Sequence, residues 1–367
     1  MLKLVCAAVV SLMLALDPSA ASAKEARTHT VKKVKAKPHK AVAAKPGRQR
    51  VKLVRRVSTI HGKRQVIYQN TRRVAPAMMA MSAGDRAGLN QTRDALALGS
   101  SVAFVIDQSN AQVLFEKNAN VALPIASITK LMTGLLVVES GLNLDEMLTV
   151  TDADVDRHKF TGSRLRVGAT MSRRDLLHIA LMSSENRAAA ALGRNYPGGI
   201  GAFVAAMNAK AQALGMTETH YVDSSGLSSQ NVASARDLAR LATVAYGEPL
   251  LRQFSTDPKY VVDDGRRSMQ YGNTNYLVAS PEWNIGLQKT GFINEAGKCL
   301  LMQAVIQGRH VIMVFLDSKG KQTRTADAGR VKRWLETLTT STATPAASPP
   351  PAMYRPVSGA QGVTQGG

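Results

Sequence analysis

Between residues 92 and 338 the chain begins with strands, continues with helices and returns to strands, and this order constrains the fold more than any other feature. A polar turn separates two apolar segments, Val102–Ile106 and Gln112–Glu116, which predicts a β-hairpin. Helical periodicity extends to Tyr246, and beyond Pro249 the pattern indicates only short strands before a last helix. The last three strands are predicted at Ile285–Gly291, Cys299–Ile306 and Val311–Leu316, and the last helix at residues 323–338. We therefore expect an α/β (α+β) fold with one antiparallel five-stranded sheet, flanked by helices and carrying a helical insert.

The net charge of +21 is concentrated in one part of the chain. Residues 24–73 contain 17 Lys and Arg and a single acid, Glu25, and so carry +16 of that total. Such a segment cannot bury enough apolar surface to fold alone, so we expect residues 24–91 to be a mostly disordered arm and linker, with a short hairpin around His61-Gly62. The arm suits an anionic polymer or membrane surface, or it is a solvated linker. Residues 339–367 are expected to form a disordered tail.

The first 23 residues have the pattern of a secretory signal peptide. Lys3 precedes an apolar run, Leu4–Leu16, and small residues follow as far as Ala23. The run is shorter than the roughly 20 residues that span a bilayer. We predict export to the periplasm or cell envelope, cleavage after Ala23 and no transmembrane anchor. Export argues against nucleic-acid binding, which only the charge of the arm suggests.

Cysteine and histidine usage limits the chemistry. Cys299 is the only cysteine after Ala23, which excludes an internal disulfide in the exported protein, and its apolar neighbours predict a buried thiol. None of the seven histidines lies in a metal-ligand spacing such as His-Glu-x-x-His. We predict no metal and no cofactor.

A serine and a lysine three residues apart stand where an apolar helix is predicted to begin. Ser127 suits a helix start, and residues three apart share a helical face, so the Lys130 amine can reach the Ser127 hydroxyl. The pair is suited to acyl transfer, with serine as nucleophile and lysine as base. An ordinary capped helix explains the same residues, and Ser318 and Lys321 repeat the spacing in a polar turn.

Two further motifs bear on this choice. Lys289-Thr290-Gly291 ends a predicted strand, where a cation and a hydroxyl line one edge and the glycine allows a close approach of the backbone. An exposed strand lysine before a turn is the alternative. Ser184-Glu185-Asn186 follows a predicted helix, where a hydroxyl and an amide can face a cleft. Ser229-Gln230-Asn231 has the same form, and a capping loop explains either motif.

Taken in order, on a helix, a loop and a strand, the three motifs resemble the signature of penicillin-recognising serine enzymes. Within that superfamily the chain is similar to low-molecular-mass penicillin-binding proteins, the D-alanyl-D-alanine carboxypeptidase and endopeptidase group, over residues 92–338. Such a resemblance implies a β-lactamase/transpeptidase-like fold. The segments that carry it are Leu123–Thr133, Leu181–Ala189, Asp223–Leu227 and Lys289–Cys299.

For catalysis, the resemblance implies that Ser127 attacks a D-alanyl carbonyl and forms an acyl-ester that water hydrolyses. Lys130 would act as the general base, and Ser184 would relay a proton to the leaving amine. Lys130 has to be neutral for this role, so we expect burial and the charge of Lys289 to lower its pKa.

For binding, the resemblance implies that Asn186 holds the substrate amide. Lys289, Thr290 and Gly291 would form the site for the substrate carboxylate. The backbone N–H of Phe292 would join that of the nucleophile as an oxyanion donor.

Membrane-bound carboxypeptidases of the group usually add a second β-rich domain and an amphipathic C-terminal helix, and neither is evident in this sequence. The chain is therefore more similar to the soluble endopeptidase branch, which cuts the D-alanyl bond to a diamino acid in peptidoglycan cross-links. We expect a D-alanyl-D-alanine endopeptidase that acts on these peptide cross-links and that β-lactams inhibit covalently. The alternatives, in order, are a carboxypeptidase, a serine β-lactamase and a non-catalytic envelope-binding protein.

Overall fold

The computed structural model of the protein describes residues 53–60, 63–70, 81–320 and 322–342. The predicted signal peptide, most of the basic arm and residues 343–367 of the predicted tail lie outside the described residues. The last helix extends to Thr342, so the expectation of disorder is wrong for residues 339–342. The chain divides into two compact units, residues 1–75 and 76–367. In the first unit, β1 (Leu53–Ile60) pairs antiparallel with β2 (Lys63–Asn70), which confirms the short hairpin predicted within the arm.

The second unit contains the remaining strands and the helices. The strands are β3 (Ser100–Asp107), β4 (Val113–Lys117), β5 (Leu123–Pro124), β6 (Met147–Thr149), β7 (Thr170–Ser172), β8 (Val232–Ala233), β9 (Lys259–Asp263), β10 (Ser268–Gly272), β11 (Asn284–Ile293), β12 (Gly297–Ile306) and β13 (Arg309–Ser318). The helices are α1 (Ala83–Arg86), α2 (Thr129–Glu139), α3 (Arg173–Met182), α4 (Asn186–Arg194), α5 (Gly199–Ala213), α6 (Ala235–Gly247), α7 (Pro249–Thr256) and α8 (Thr323–Thr342). None of these described helices combines the length and the apolar composition that a bilayer crossing demands.

Strands from both ends of this unit form one antiparallel sheet of five strands, in the order β11-β12-β13-β3-β4. Side chains alternate between the two faces of each strand. Phe104 and Val314 therefore enter the core that α2 and α6 share, whereas Val105 and Phe315 pack on the other face against α8. The predicted sheet, with helices on both faces, is confirmed.

The capping pattern Ser172-Arg-Arg-Asp175 predicts the start of one helix of the insert, and Ser234 predicts the start of another; both predictions are confirmed. The Ser172 hydroxyl accepts a hydrogen bond from the Asp175 N–H at 3.0 Å at the start of α3. Ser234 accepts one from the Asp237 N–H at 3.1 Å at the start of α6. These serines satisfy backbone donors that have no partner within the helix.

Helix α7 is not predicted, and the expectation that only short strands follow Pro249 is wrong for residues 249–256. Pro249 lies in the first turn, where its missing N–H costs nothing. Leu251 and Phe254 are buried and hold the helix against the core. The eight residues of α7 are too few for helical periodicity to stand out in the sequence.

Helix α1 lies within the segment that the sequence indicates as a linker, and it contacts the C-terminal strands. The Ser82 hydroxyl donates a hydrogen bond to Asp317 Oδ2 at 2.9 Å, and the Ala83 N–H donates one to the Glu295 carbonyl at 2.8 Å. The first contact joins residues 235 positions apart. No local pattern in the sequence indicates a contact over this separation.

Candidate active site

The candidate nucleophile lies in a tight turn immediately before α2. Ala126–Ile128, here called the nucleophile turn, form one turn of 3-10 helix, and α2 begins at Thr129. Ser127 therefore precedes the helix and does not cap it, which differs from the sequence-based expectation. Its hydroxyl instead meets Lys130, whose Nζ donates a hydrogen bond to Ser127 Oγ at 2.9 Å.

Three oxygen atoms surround the amine of Lys130, which is completely buried. Besides the Ser127 hydroxyl, Nζ contacts Asn186 Oδ1 at 2.7 Å and the Ser225 carbonyl oxygen at 2.5 Å. Each of these is a hydrogen-bond acceptor, so the amine is held in one place by groups from three separate segments.

Burial is the main cause of the perturbed pKa of Lys130. It lowers the pKa to about 7, although the negative charges of Asp223 and Glu185 raise it. Near neutral pH a large share of the molecules therefore carries the neutral amine, which can accept the Ser127 proton. The expectation that burial lowers this pKa is confirmed.

A glycine allows the loop Asp223–Leu227 to pack directly against the nucleophile turn. Gly226 has a φ of +81°, and a Cβ there would lie 1.9 Å from the Ala126 carbonyl oxygen. The Asp223 carboxylate holds the loop by accepting the N–H groups of Ser225 at 2.7 Å and Gly226 at 2.6 Å. Ala126 has a φ of +49°, which is strained in a residue with a side chain. The loop thereby brings the Ser225 carbonyl to the lysine.

Asn186 is the first residue of α4, and both ends of its amide have partners. Its Oδ1 accepts from Lys130, and its Nδ2 donates to Thr161 Oγ1 at 3.0 Å. Thr161 Oγ1 donates in turn to Asp156 Oδ2 at 2.8 Å. These contacts orient the carbonyl end of the amide toward the lysine. The sequence predicts Asn186 at the site but contains no signal for Thr161 or Asp156.

The opposite side of the cleft is β11, the edge strand of the sheet. Lys289 is completely buried, and its Nζ donates to Ser184 Oγ at 2.8 Å and to the Thr290 carbonyl at 2.9 Å. The Thr290 hydroxyl shares a hydrogen bond of 2.6 Å with the hydroxyl of Thr274. Ser184 stands between α3 and α4 with a φ of +60° and so links the helices to the strand.

Gly291 brings β11 against the nucleophile turn. A Cβ at this position would lie 2.8 Å from the Ile125 carbonyl oxygen and 3.2 Å from the Ser127 nitrogen. Arg324, on α8, donates to the Gly291 carbonyl at 2.8 Å. Phe292 follows, and 53% of the residue is exposed. The backbone of Phe292 is thus one residue away from the point where the strand meets Ser127.

The pKa of Lys289 lies well below its ordinary value. Burial is the largest cause, and the positive charges of Lys130 and Arg324 lower it further. Repulsion between two charged lysines is mutual, so the expected effect of the Lys289 charge on the pKa of Lys130 stays a prediction. The acids Asp223 and Glu185, which raise the pKa of Lys130, lie in two of the segments that carry the family resemblance.

The matches with known proteins agree with this arrangement. The family described as D-alanyl-D-alanine carboxypeptidase matches residues 89–320, more than half of the chain. The chain belongs to this family of serine peptidases. A D-alanyl-D-alanine endopeptidase of Pseudomonas aeruginosa is 50% identical to it over 266 residues, 72% of this chain and 84% of the relative. One from Escherichia coli K12 is 44% identical over 242 residues, 65% of this chain and 78% of the relative.

The chain is thus a serine-type D,D-peptidase of the low-molecular-mass penicillin-binding proteins, and solved structures share its fold. The Streptomyces K15 DD-transpeptidase matches with a TM-score of 0.62 and 27% identity, over 67% of this chain and 99% of that one. Penicillin-binding protein D2 of Listeria monocytogenes, in its cefotaxime-bound form, matches with a TM-score of 0.59 and 31% identity, over 66% and 98%. The predicted β-lactamase/transpeptidase-like fold is confirmed.

Outside the site of this D,D-peptidase, two segments repeat the spacing of the motifs, and their residues have structural roles. Ser318 ends β13, and its hydroxyl contacts that of Ser100. Asn231, from the second Ser-x-Asn motif, is buried and donates to the Asp223 carbonyl at 2.9 Å, so it supports the loop beside the lysine. Cys299 is buried, as predicted, and burial raises its pKa to about 12.

Proposed function

We propose that this D,D-peptidase is a D-alanyl-D-alanine endopeptidase, which hydrolyses the D-alanyl bond of peptidoglycan cross-links through an acyl-enzyme. We also propose that β-lactams acylate the same serine. The observation that carries the proposal is the hydrogen bond from the buried Lys130 amine, with its pKa near 7, to Ser127 Oγ. Support for an endopeptidase comes from the two relatives of that name, at 50% and 44% identity.

In the proposed reaction, neutral Lys130 takes the proton of Ser127 while the Ser127 hydroxyl oxygen adds to the D-alanyl carbonyl carbon. The backbone N–H groups of Ser127 and Phe292 stabilise the oxyanion. When the carbon–nitrogen bond breaks, Ser184 relays the proton that Lys130 holds to the leaving amine, and Lys130 is neutral again. A water molecule then attacks the ester, with Lys130 again as base, and the donor peptide leaves.

The remaining motif residues bind the substrate. Asn186 holds the substrate amide, and its fixed orientation between Lys130 and Thr161 supports this role. Lys289, Thr290 and Gly291 form the site for the substrate carboxylate, and Gly291 also lets the strand lie against the nucleophile turn. A carboxylate beside Lys289 favours the charged amine and so offsets the effects that lower its pKa in the free enzyme.

The segments outside the peptidase region extend the proposal. We propose that residues 1–23 direct export and that the enzyme acts in the periplasm or cell envelope. Residues 24–91, with most of the positive charge, contact an anionic polymer of the envelope. The peptidase domain proper is residues 92–338.

Incubation of the exported form with cross-linked sacculi tests the proposal, with the muropeptides separated by mass. We expect dimers to become monomers, Ser127→Ala to abolish the conversion, and Ser229→Ala, in the second Ser-x-Asn motif, to leave it unchanged. Pentapeptides that lose only a terminal alanine would indicate a carboxypeptidase. Rapid release of hydrolysed benzylpenicillin would indicate a β-lactamase, and conversion that survives Ser127→Ala would exclude this serine as the nucleophile.

A further inference from the structure

Ser184 lines an open cavity of about 500 Å³, bounded by residues 162–164 and 183–186. In the proposed reaction the Ser184 hydroxyl reaches the leaving amine, so whatever is attached to that amine extends past Ser184. When a carboxypeptidase acts, the leaving group is a single D-alanine, which does not extend beyond Ser184 into the cavity. When a cross-link is cut, the leaving group is the remainder of a second stem peptide, and this cavity has room for part of it.

Arg164 lines the same cavity and is held in a defined position. Its guanidinium lies over the Tyr271 ring, 3.8 Å from the ring centroid, and Nη1 donates to the Gln270 carbonyl at 2.6 Å. Arg267 donates to the Arg164 carbonyl at 2.9 Å and holds the backbone. A guanidinium carries five N–H donors, and within the described residues Arg164 uses one of them, in its hydrogen bond to Gln270. Arg164 is thus an oriented cation with donors left for a ligand.

The exposed charge of the cavity is positive. Arg164 is exposed, and no carboxylate pairs with it within the described residues. The acid that lines the cavity, Glu185, is buried and accepts the Arg187 N–H at 3.4 Å at the start of α4. The positive end of this helix partly offsets the charge of Glu185. A ligand in the cavity therefore meets a cation whose protein partners are the Tyr271 ring and the Gln270 carbonyl, neither of which carries a negative charge.

We propose that Arg164 binds a carboxylate of the leaving stem peptide and so favours cross-links over a terminal D-alanine. The ligand class is an acidic peptide, because peptidoglycan stem peptides carry free carboxylates, and the planar guanidinium fork suits two-point binding of such a group. This inference rests on the proposed endopeptidase function. It adds a specificity-determining residue that lies outside the three motifs.

The test compares two substrates, a cross-linked muropeptide dimer and a monomeric pentapeptide, with the full exported chain. Arg164→Gln should lower the ratio of kcat/KM for the dimer to that for the pentapeptide by about tenfold or more, as expected for a hydrogen bond to a charged group. Arg164→Lys, which keeps the charge but not the fork, should restore part of that ratio. Arg166→Gln, in the same loop but outside the cavity lining, is the matched control and should leave the ratio unchanged. An unchanged ratio in Arg164→Gln, or an equal loss on both substrates, would overturn the inference.

A second arm changes the substrate and needs no variant. The carboxylate next to the scissile bond, which Lys289 is proposed to bind, is left free. Amidation of the other carboxylates on the leaving peptide should lower dimer cleavage by the wild-type enzyme, and the same amidation should have little further effect in Arg164→Gln. An equal penalty in both enzymes would overturn the inference and leave the endopeptidase function intact. A wild-type enzyme that trims pentapeptides but leaves dimers uncut would overturn both.

Discussion

The two sides of the cleft each bury one lysine, and the two lysines have different charged neighbours. On α2, Lys130 donates to three oxygen atoms, and the acids Asp223 and Glu185 raise its pKa against the effect of burial. On β11, Lys289 also loses its hydration, but the charges that act on it are positive, from Lys130 and Arg324. Both amines are fully buried, and they differ in that two acids raise the pKa of Lys130 whereas Arg324 lowers the pKa of Lys289.

This difference separates the two proposed roles. Burial lowers the pKa of Lys130 and the nearby acids raise it, and the result is a pKa of about 7. At neutral pH the amine can therefore both accept and release a proton. Burial and nearby cations leave the surroundings of Lys289 short of negative charge, which a substrate carboxylate would supply in the proposed role of this lysine. We therefore interpret Lys130 as the base and Lys289 as the anion-binding group. Three measurements test this contrast.

The largest effect is expected from removal of the base. Lys130→Met keeps an unbranched side chain in the core but removes the amine, so acylation by benzylpenicillin should slow by about 10³-fold, within the range of general base catalysis. The rate of acyl-enzyme formation, followed by mass spectrometry of the intact protein, measures this. A rate within about tenfold of wild type would show that another group removes the serine proton.

A smaller effect is expected at the second lysine. Lys289→Met should lower kcat/KM for a D-alanyl peptide by about 10–100-fold, because a hydrogen bond to a charged group is lost. The control is a substrate whose terminal carboxylate is replaced by a methyl ester, for which the two enzymes should differ much less. The same loss on both substrates would contradict a role in binding the carboxylate.

The smallest effect is expected in the pH profile of acylation. Because Lys130 acts in its neutral form, the rate should rise about tenfold per pH unit below the pKa and level off above about pH 7. Glu185→Gln removes a charge that raises this pKa, so the bend should move to lower pH by less than about one unit. Glu116→Gln, on the strand at the other end of the sheet, should not move it. A bend that stays in place or moves upward in Glu185→Gln would contradict the electrostatic account.

The fold was predictable where each segment carries its own pattern. The hairpin of β3 and β4 and the last three strands follow from alternation, and the serine caps at Ser172 and Ser234 mark where two helices begin. Helix α7 was not predicted because it is short. The contact of Ser82 with Asp317 was not predicted because it joins distant parts of the chain. Local patterns predict local structure, and they say nothing of which distant side chains meet.

The sequence by itself determined the family, the five strands of the sheet and the motif residues, since these depend on residue type and spacing within short segments. Only the tertiary structure decided the environment of each motif residue. Lys130 meets the carbonyl of Ser225, 95 residues away, and Lys289 meets Ser184, 105 residues away. Desolvation and charge act through space, so the pKa of each lysine depends on neighbours that the order of residues does not reveal.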